Sequence, residues 1–483
     1  MKFTNYQIFN KHNLFFIFLS LSSILFLYYL RQYNFFNTLK ISLLFSLLLS
    51  PFFFYKTHFN NNKLLIPYLH ILCFLLFVFY CLGFFFDVKF DFFDPILINK
   101  TINILLLSFS SFLFGYFFLN IFLKNKSLRI NFFILKNNNT NIILYISSLY
   151  LIFFYLFDFL NNIKYVIFFK NAFLYLFVVS LAYFFVIEKH KLKKTIFLLL
   201  FILVMIIEAS SSSIFFSIFT LLCFIFCLFF LNKKKLAIFA LLFLFFLTFI
   251  FQFSKYHQRL QLSKANPKNN YEISILYSKS IIFIFKNLYL DMTNNTGNYG
   301  QYSEIYLNKE KKTEHFNGLK NRIFHSLNVF LIVVKKTPEE INYYYGKSYE
   351  GIIYKFVPRI LLPSKPEELY GSFWGKRYEA LLQSDNQTSW NFPVLAEFYA
   401  NFGIMGCVFG MFLIGCFLRI ISVPIINKNK NSADGNLISI SIFFQFIYQE
   451  INLTLIIGNM FISLTLTIII IFAANKIFEI KNF

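Results

Sequence analysis

The most chemically loaded stretch of the chain is Tyr354-Lys-Phe-Val-Pro-Arg-Ile-Leu-Leu-Pro-Ser-Lys-Pro366. Pro358, Pro363 and Pro366 fix their own φ and turn the residue before each away from helix, so Arg359 and Lys365 sit on a stiff, extended strip. Arg359 can grip phosphate oxygens through two parallel N–H bonds while Lys365 acts as a point charge. A pyrophosphate at a membrane surface suits such a pair, and so does a row of lipid headgroups. Just downstream, both tryptophans of the chain, Trp374 and Trp390, lie among Arg377, Asp385, Asn386 and Gln387. Flat aromatic faces beside planar amides suit a sugar ring; an aromatic belt at a membrane interface has the same composition.

The next stretch runs Pro393-Val-Leu-Ala-Glu397-Phe-Tyr-Ala-Asn401-Phe-Gly403-Ile-Met-Gly406. Pro393 suits a first helical turn, and Glu397 and Asn401, four apart, then share one face. An ionisable residue one or two turns inside an apolar helix is a functional candidate, here as a general base; a structural pair with Arg377 is the alternative. Gly406 and Gly410, with Gly403 nearby, let the helix backbone approach a neighbour closely. Weaker signals are Glu208, read as part of an outer hairpin at headgroup level, and Arg259 beside His257, read as a lipid anchor or reserve phosphate contact. Asp87, Asp91 and Asp94 lie in one connection without DxD spacing, and nothing in the sequence demands a metal. Cys223 and Cys227, one turn apart without a His or acidic partner nearby, read as packing residues.

The elements that must carry these residues are apolar. Of 483 residues 58% are hydrophobic, 76 are Phe and only 14% are charged, which excludes a water-soluble enzyme. The Phe excess goes with abundant Ile, Asn, Lys and Tyr and is read as compositional background. The apolar residues come in long runs, about twelve of them, which gives an all-α polytopic membrane protein. Its expected spans lie at roughly 14–30, 38–55, 64–86, 101–123, 142–157, 171–187, 196–209, 213–231, 236–253, 392–418, 437–449 and 455–474. The two termini and the connections on their side hold 20 Lys and Arg against 6 in the opposite short connections. Positive-inside bias therefore puts both termini in the cytoplasm, so the net charge of +23 speaks of orientation rather than nucleic acid. The division is a nine-helix region at 1–253, an extracytoplasmic loop domain at 254–393 and a three-helix region at 394–483. A loop of that length is expected to carry the function. Within it, Ile273–Leu290 and Ile323–Val334 read as helices on the membrane or packed over the bundle.

At Tyr345-Gly-Lys-Ser-Tyr349, Pro358-Arg-x-x-x-Pro-x-Lys-Pro366 and Glu397-x-x-x-Asn-Phe-Gly-x-x-Gly406 the chain resembles the oligosaccharide repeat-unit polymerases of the O-antigen polymerase (Wzy) type. The resemblance covers only about Tyr345–Gly415. It implies a metal-independent, cofactor-free glycosyltransferase of the bacterial inner membrane. Such an enzyme moves a growing glycan from undecaprenyl diphosphate onto another lipid-linked repeat unit, in O-antigen or capsule synthesis. A flippase and a chain-length regulator would be its partners. Arg359 and Lys365 would meet the leaving diphosphate, and Glu397 would be the base toward the acceptor hydroxyl. Asn401, Tyr349, Trp374, Arg377 and Arg259 would hold substrate. A lipid-A-core ligase or other polyprenyl-linked sugar transferase shares the topology and a large outer loop; a flippase or transporter fits less well.

Overall fold

The computed structural model describes residues 35–54, 68–84, 94–123, 128–129, 140–157, 164–211, 324–357, 370–385, 388–423, 425–427, 430–431, 433–447 and 450–481, with scattered positions between them. The regular elements among the described residues are helices apart from one small sheet. In chain order they form α1 (Phe35–Phe54), α2 (Tyr68–Leu76), α3 (Pro95–Leu123), β1 (Leu128–Arg129), α4 (Thr140–Leu156), α5 (Lys164–Ile187) and α6 (Lys191–Ser211). There follow α7 (His325–Lys336), the four-residue α8 (Ile352–Lys355), α9 (Tyr370–Arg377), α10 (Val394–Ile421), β2 (Ile425–Asn427), β3 (Lys430–Asn431), α11 (Ala433–Ile447) and α12 (Leu453–Lys481). Among the described residues three helices, Pro95–Leu123, Val394–Ile421 and Leu453–Ile477, are long and apolar enough to cross a membrane, and five shorter apolar helices accompany them. The expected spans at 14–30, 213–231 and 236–253 fall almost wholly outside the described residues, as do Cys223 and Cys227.

The chain folds into two compact units, each drawn from separate stretches of sequence. The first comprises 1–127, 321–424 and 445–461, the second 128–320, 425–444 and 462–483. The central pair of the first unit is α3 against α10. Ser111 Oγ donates to the Val408 carbonyl at 2.7 Å, Cys416 Sγ approaches the Gly115 carbonyl at 3.4 Å, and Arg419 donates to the Leu123 carbonyl at 3.1 Å. These partners rise together along both helices, so α3 and α10 run parallel. Their backbones meet closely because Gly415 has no Cβ to strike the Phe112 carbonyl.

Here the structure corrects one expectation. The spaces at Gly406 and Gly410 are filled by Phe398 and Phe402 of the same helix, not by a neighbouring helix. The cause is a break at Gly403, whose φ of 63° and ψ of −145° are not helical. Such a conformation suits a residue without a Cβ. Phe398 folds back onto the later turns instead of projecting from a straight rod.

The helix expected at Ile323–Val334 is α7, and it is a core element. Leu327, Phe330, Leu331, Val333 and Val334 are buried, with Phe330 lying edge-on between Tyr80 and Tyr399 at 6.4 and 6.0 Å. Tyr80 belongs to a π-helical turn, Phe77–Cys81, that continues α2 before a 3₁₀ turn over Leu82–Phe84. Of Ile273–Leu290, the part at 275–283 is described and helical. In the second unit α4, α5 and α6 pack through aromatic stacks such as Tyr150 on Phe173 at 3.8 Å. The sheet orders β1-β2-β3: β1 pairs parallel with β2, and β2 antiparallel with β3.

Candidate functional site

The break in α10 determines what can dock there. An uninterrupted helix would satisfy the carbonyls of Ala400 and Asn401 through N–H groups four residues on; the turn at Gly403 removes those donors. The segment Tyr343–Tyr349 supplies replacements. Tyr344 N donates to the Ala400 carbonyl at 2.9 Å and Tyr345 N to the Asn401 carbonyl at 3.2 Å. Asn401, fully buried, fastens the same segment through its side chain. Its Oδ1 accepts from Gly346 N at 2.8 Å, and its Nδ2 donates to Ser348 Oγ at 2.9 Å and to the Glu397 carbonyl at 2.8 Å. Thr454 Oγ1, at the start of α12, donates to the Ser348 carbonyl at 3.0 Å.

Glu397 is also fully buried. Its Oε2 accepts from Leu453 N at 2.7 Å, so the carboxylate satisfies one of the free N–H groups at the α12 N-terminus, where a negative charge is favoured. Oε1 has no hydrogen-bond partner, although the Ser348 hydroxyl interacts with the carboxylate. No ion pair joins it to Arg377. In this arrangement Glu397 is a buried cap of α12. Asn391 and Glu450 make a second tie between the same two helix starts, at 2.9 Å. The Asn391 carbonyl meets His325 Nε2 at 3.0 Å.

The tight docking imposes an unusual backbone. Tyr345 has φ 48° and Gly346 φ 82°. A left-handed conformation at a bulky residue costs on the order of 1–3 kcal/mol and persists only where its surroundings enforce it. Tyr345 is nevertheless 71% exposed, its ring 6.1 Å from that of Tyr343 at an interplanar angle of 73°. Burial raises the Tyr343 hydroxyl above the usual phenol range, so it stays protonated and able to donate.

The other expected site residues distribute unevenly. Arg359, Lys365 and Arg259 lie outside the described residues, as do Asp87 and Asp91. Trp374 is fully buried, stacked on Phe392 at 4.3 Å and 8° with Tyr344 edge-on at 5.4 Å. This is a correction: the indole is the core of the α9 segment, with no open face for a sugar. Tyr349 stacks on Phe402 at 6.5 Å, and burial, then the nearby Glu397, raises its hydroxyl well above the usual phenol range. Arg377 lies over the Tyr344 and Phe373 rings at 5.0 and 6.0 Å and donates to the Asn342 carbonyl at 2.7 Å. Asp94 accepts from Ile96 N at 3.0 Å and caps α3.

Glu208 is a fully buried side chain in the last turns of α6, paired with Lys170 at 2.8 Å and accepting from the Tyr155 hydroxyl. Neither Lys170 nor Glu450 stood out in the sequence. Lys170 looked like a connection residue because the apolar run begins just after it, and Glu450 occupies a short turn without a motif. Comparison of the chain with known protein families, curated proteins and solved structures gives no match.

Proposed function

We propose that the chain polymerises undecaprenyl-diphosphate-linked oligosaccharide repeat units at the outer face of the bacterial inner membrane. One observation carries the reading. Two of the three motif segments on which the resemblance rests, Tyr345–Tyr349 and Glu397–Gly406, are a single hydrogen-bonded body joined through Asn401. The third, Arg359 to Pro366, begins ten residues after the first in the sequence.

The twelve-span topology with a large outer loop belongs to the same reading. The parallel run of α3 and α10 supports it, because parallel spans require an odd number of crossings between them, and five are expected. The pairing of Leu128 with Ile425 supports it too, since charge bias assigns both of their connections to the cytoplasm.

In this reaction the acceptor hydroxyl oxygen attacks the anomeric carbon of the growing glycan and the carbon–oxygen bond to the diphosphate breaks. The hydroxyl proton passes to a base. Arg359 and Lys365 meet the charge that develops on the leaving diphosphate, and the Tyr343–Tyr349 segment presents the sugar side of the site. Arg359→Lys keeps the charge but loses the fork, so glycan ladders on gels should collapse toward single repeat units at normal protein level. Full-length polymer from both Arg359→Lys and Arg359→Ala removes the role. A ligase is distinguished by gene loss: a polymerase leaves single repeat units attached, whereas a ligase leaves none.

A further inference from the structure

Around α9 the rings of Trp374, Tyr378 and Phe392 face inward and are at most 3% exposed. Tyr345 is the opposite, an open ring on a backbone that disfavours any side chain at all. A turn that needed only its shape would place Gly or Asn there, as the chain does at the next position, Gly346. Instead the conformation is enforced from three sides. Tyr345 N is held by the Asn401 carbonyl, Gly346 N by the Asn401 side chain, and Lys347 N by the Tyr344 carbonyl. An observed outlier of this kind, fully braced and presenting its side chain outward, points to function.

We propose that Tyr345 and Tyr343 form a stacking platform for a pyranose ring. The two rings meet as an open corner, 6.1 Å between centroids and 73° between planes. Tyr345 offers a flat π-face to the apolar C–H patch of a sugar, and Tyr343, whose hydroxyl lies against Gly403, stands behind it as the fixed wall of the corner. Lys347, exposed two residues on, adds a donor at the edge. This deepens the polymerase reading and rests on it for one point only, that the ring belongs to a lipid-linked repeat unit. It also reassigns the sugar contact that Trp374 was expected to make.

The test uses the full-length protein and exploits the strain. Tyr345→Gly removes both the ring and the unfavourable backbone, so an interfacial anchoring tyrosine and a sugar platform predict different results. The expected outcome for Tyr345→Gly is membrane abundance at or above wild type, with glycan ladders shortened to a few repeats. Its affinity for the free oligosaccharide repeat unit, followed by intrinsic fluorescence in detergent, should fall about tenfold. Tyr345→Phe should leave both readouts within about twofold. Wild-type ladders and affinity in Tyr345→Gly overturn the platform, and so does reduced protein with normal polymer per molecule. Wild-type protein that builds no polymer yet binds the free oligosaccharide through Tyr345 sinks the polymerase reading and keeps the platform. Absence of binding by the wild type sinks both.

Discussion

Each compact unit buries a glutamate completely, and the two are neutralised by different means. In the second unit Glu208 faces Lys170 across α5 and α6 and takes the Tyr155 hydroxyl as well. Its charge is met by a full opposite charge, and one rigid pair fastens three helices. In the first unit Glu397 meets no cation in hydrogen-bonding range among the described residues. It faces the N-terminus of α12 through Leu453 N and shares its neighbourhood with Asn401, Ser348 and Thr454. The first arrangement is a closed electrostatic bolt; the second is a set of neutral, directional bonds around a loop. A bolt resists opening because Glu208, fully buried, would be left without its countercharge. A loop held by several bonds near 1 kcal/mol each can be displaced one bond at a time. The polar node of the first unit is therefore the place where movement is affordable.

Removing one half of the bolt should have the largest effect. Lys170→Ala leaves Glu208 without its countercharge and should destabilise the protein by about 3–5 kcal/mol, read as loss of membrane abundance and a lower melting temperature in detergent. Lys170→Met combined with Glu208→Leu should recover most of that loss. If the single and double variants behave alike, the pair is not a bolt.

Asn401→Ala strikes the node. It deprives Gly346 N of its acceptor and the Ser348 hydroxyl of its donor, at about 1–3 kcal/mol for the orphaned buried groups. The decisive readout is local: amide hydrogen exchange at Tyr344–Gly346 should accelerate well before that of α3. Uniform acceleration across both would mean that the loop is not a separable part.

Glu397→Gln should have the smallest effect on the fold. The Gln carbonyl still accepts from Leu453 N, and the lost helix-terminal charge interaction is worth about 0.3–1 kcal/mol. Abundance should stay close to wild type if the residue is a cap, and so should polymer length on the proposed polymerase reading. A fall of about 10²–10⁴ in chain growth at unchanged abundance would instead make Glu397 the base, with the loop opening during turnover.

The long apolar helices were legible because length and hydropathy alone specify them: α3 was expected from 101, α10 from 392 and α12 from 455, and their observed starts differ by six residues or fewer. Glu397 and Asn401 were legible as a pair because four residues is one helical turn. Their partners were not, since Gly346, Ser348 and Leu453 are 53 to 56 residues away and a hydrogen bond to a backbone N–H leaves no mark in side-chain type. Lys170 was misread because α5 begins at Lys164 and carries a charge in its second turn that a search for unbroken apolar runs excludes. Trp374 was ambiguous in principle, because a core indole and a sugar platform have the same composition and differ only in what covers the ring. The break at Gly403 was half visible: the small residues were noted, but whether they admit a neighbouring helix or a fold-back of Phe398 depends on a dihedral that composition does not carry.

That break also bears on the order in which the protein is made. Ala400 and Asn401 would present bare carbonyls in a strongly apolar helix, a costly state wherever water is scarce. Their donors, Tyr344 and Tyr345, lie earlier in the chain and have already been synthesised when α10 emerges from the ribosome. Closing the broken helix therefore takes no residue still to be made: its donors precede it in the chain.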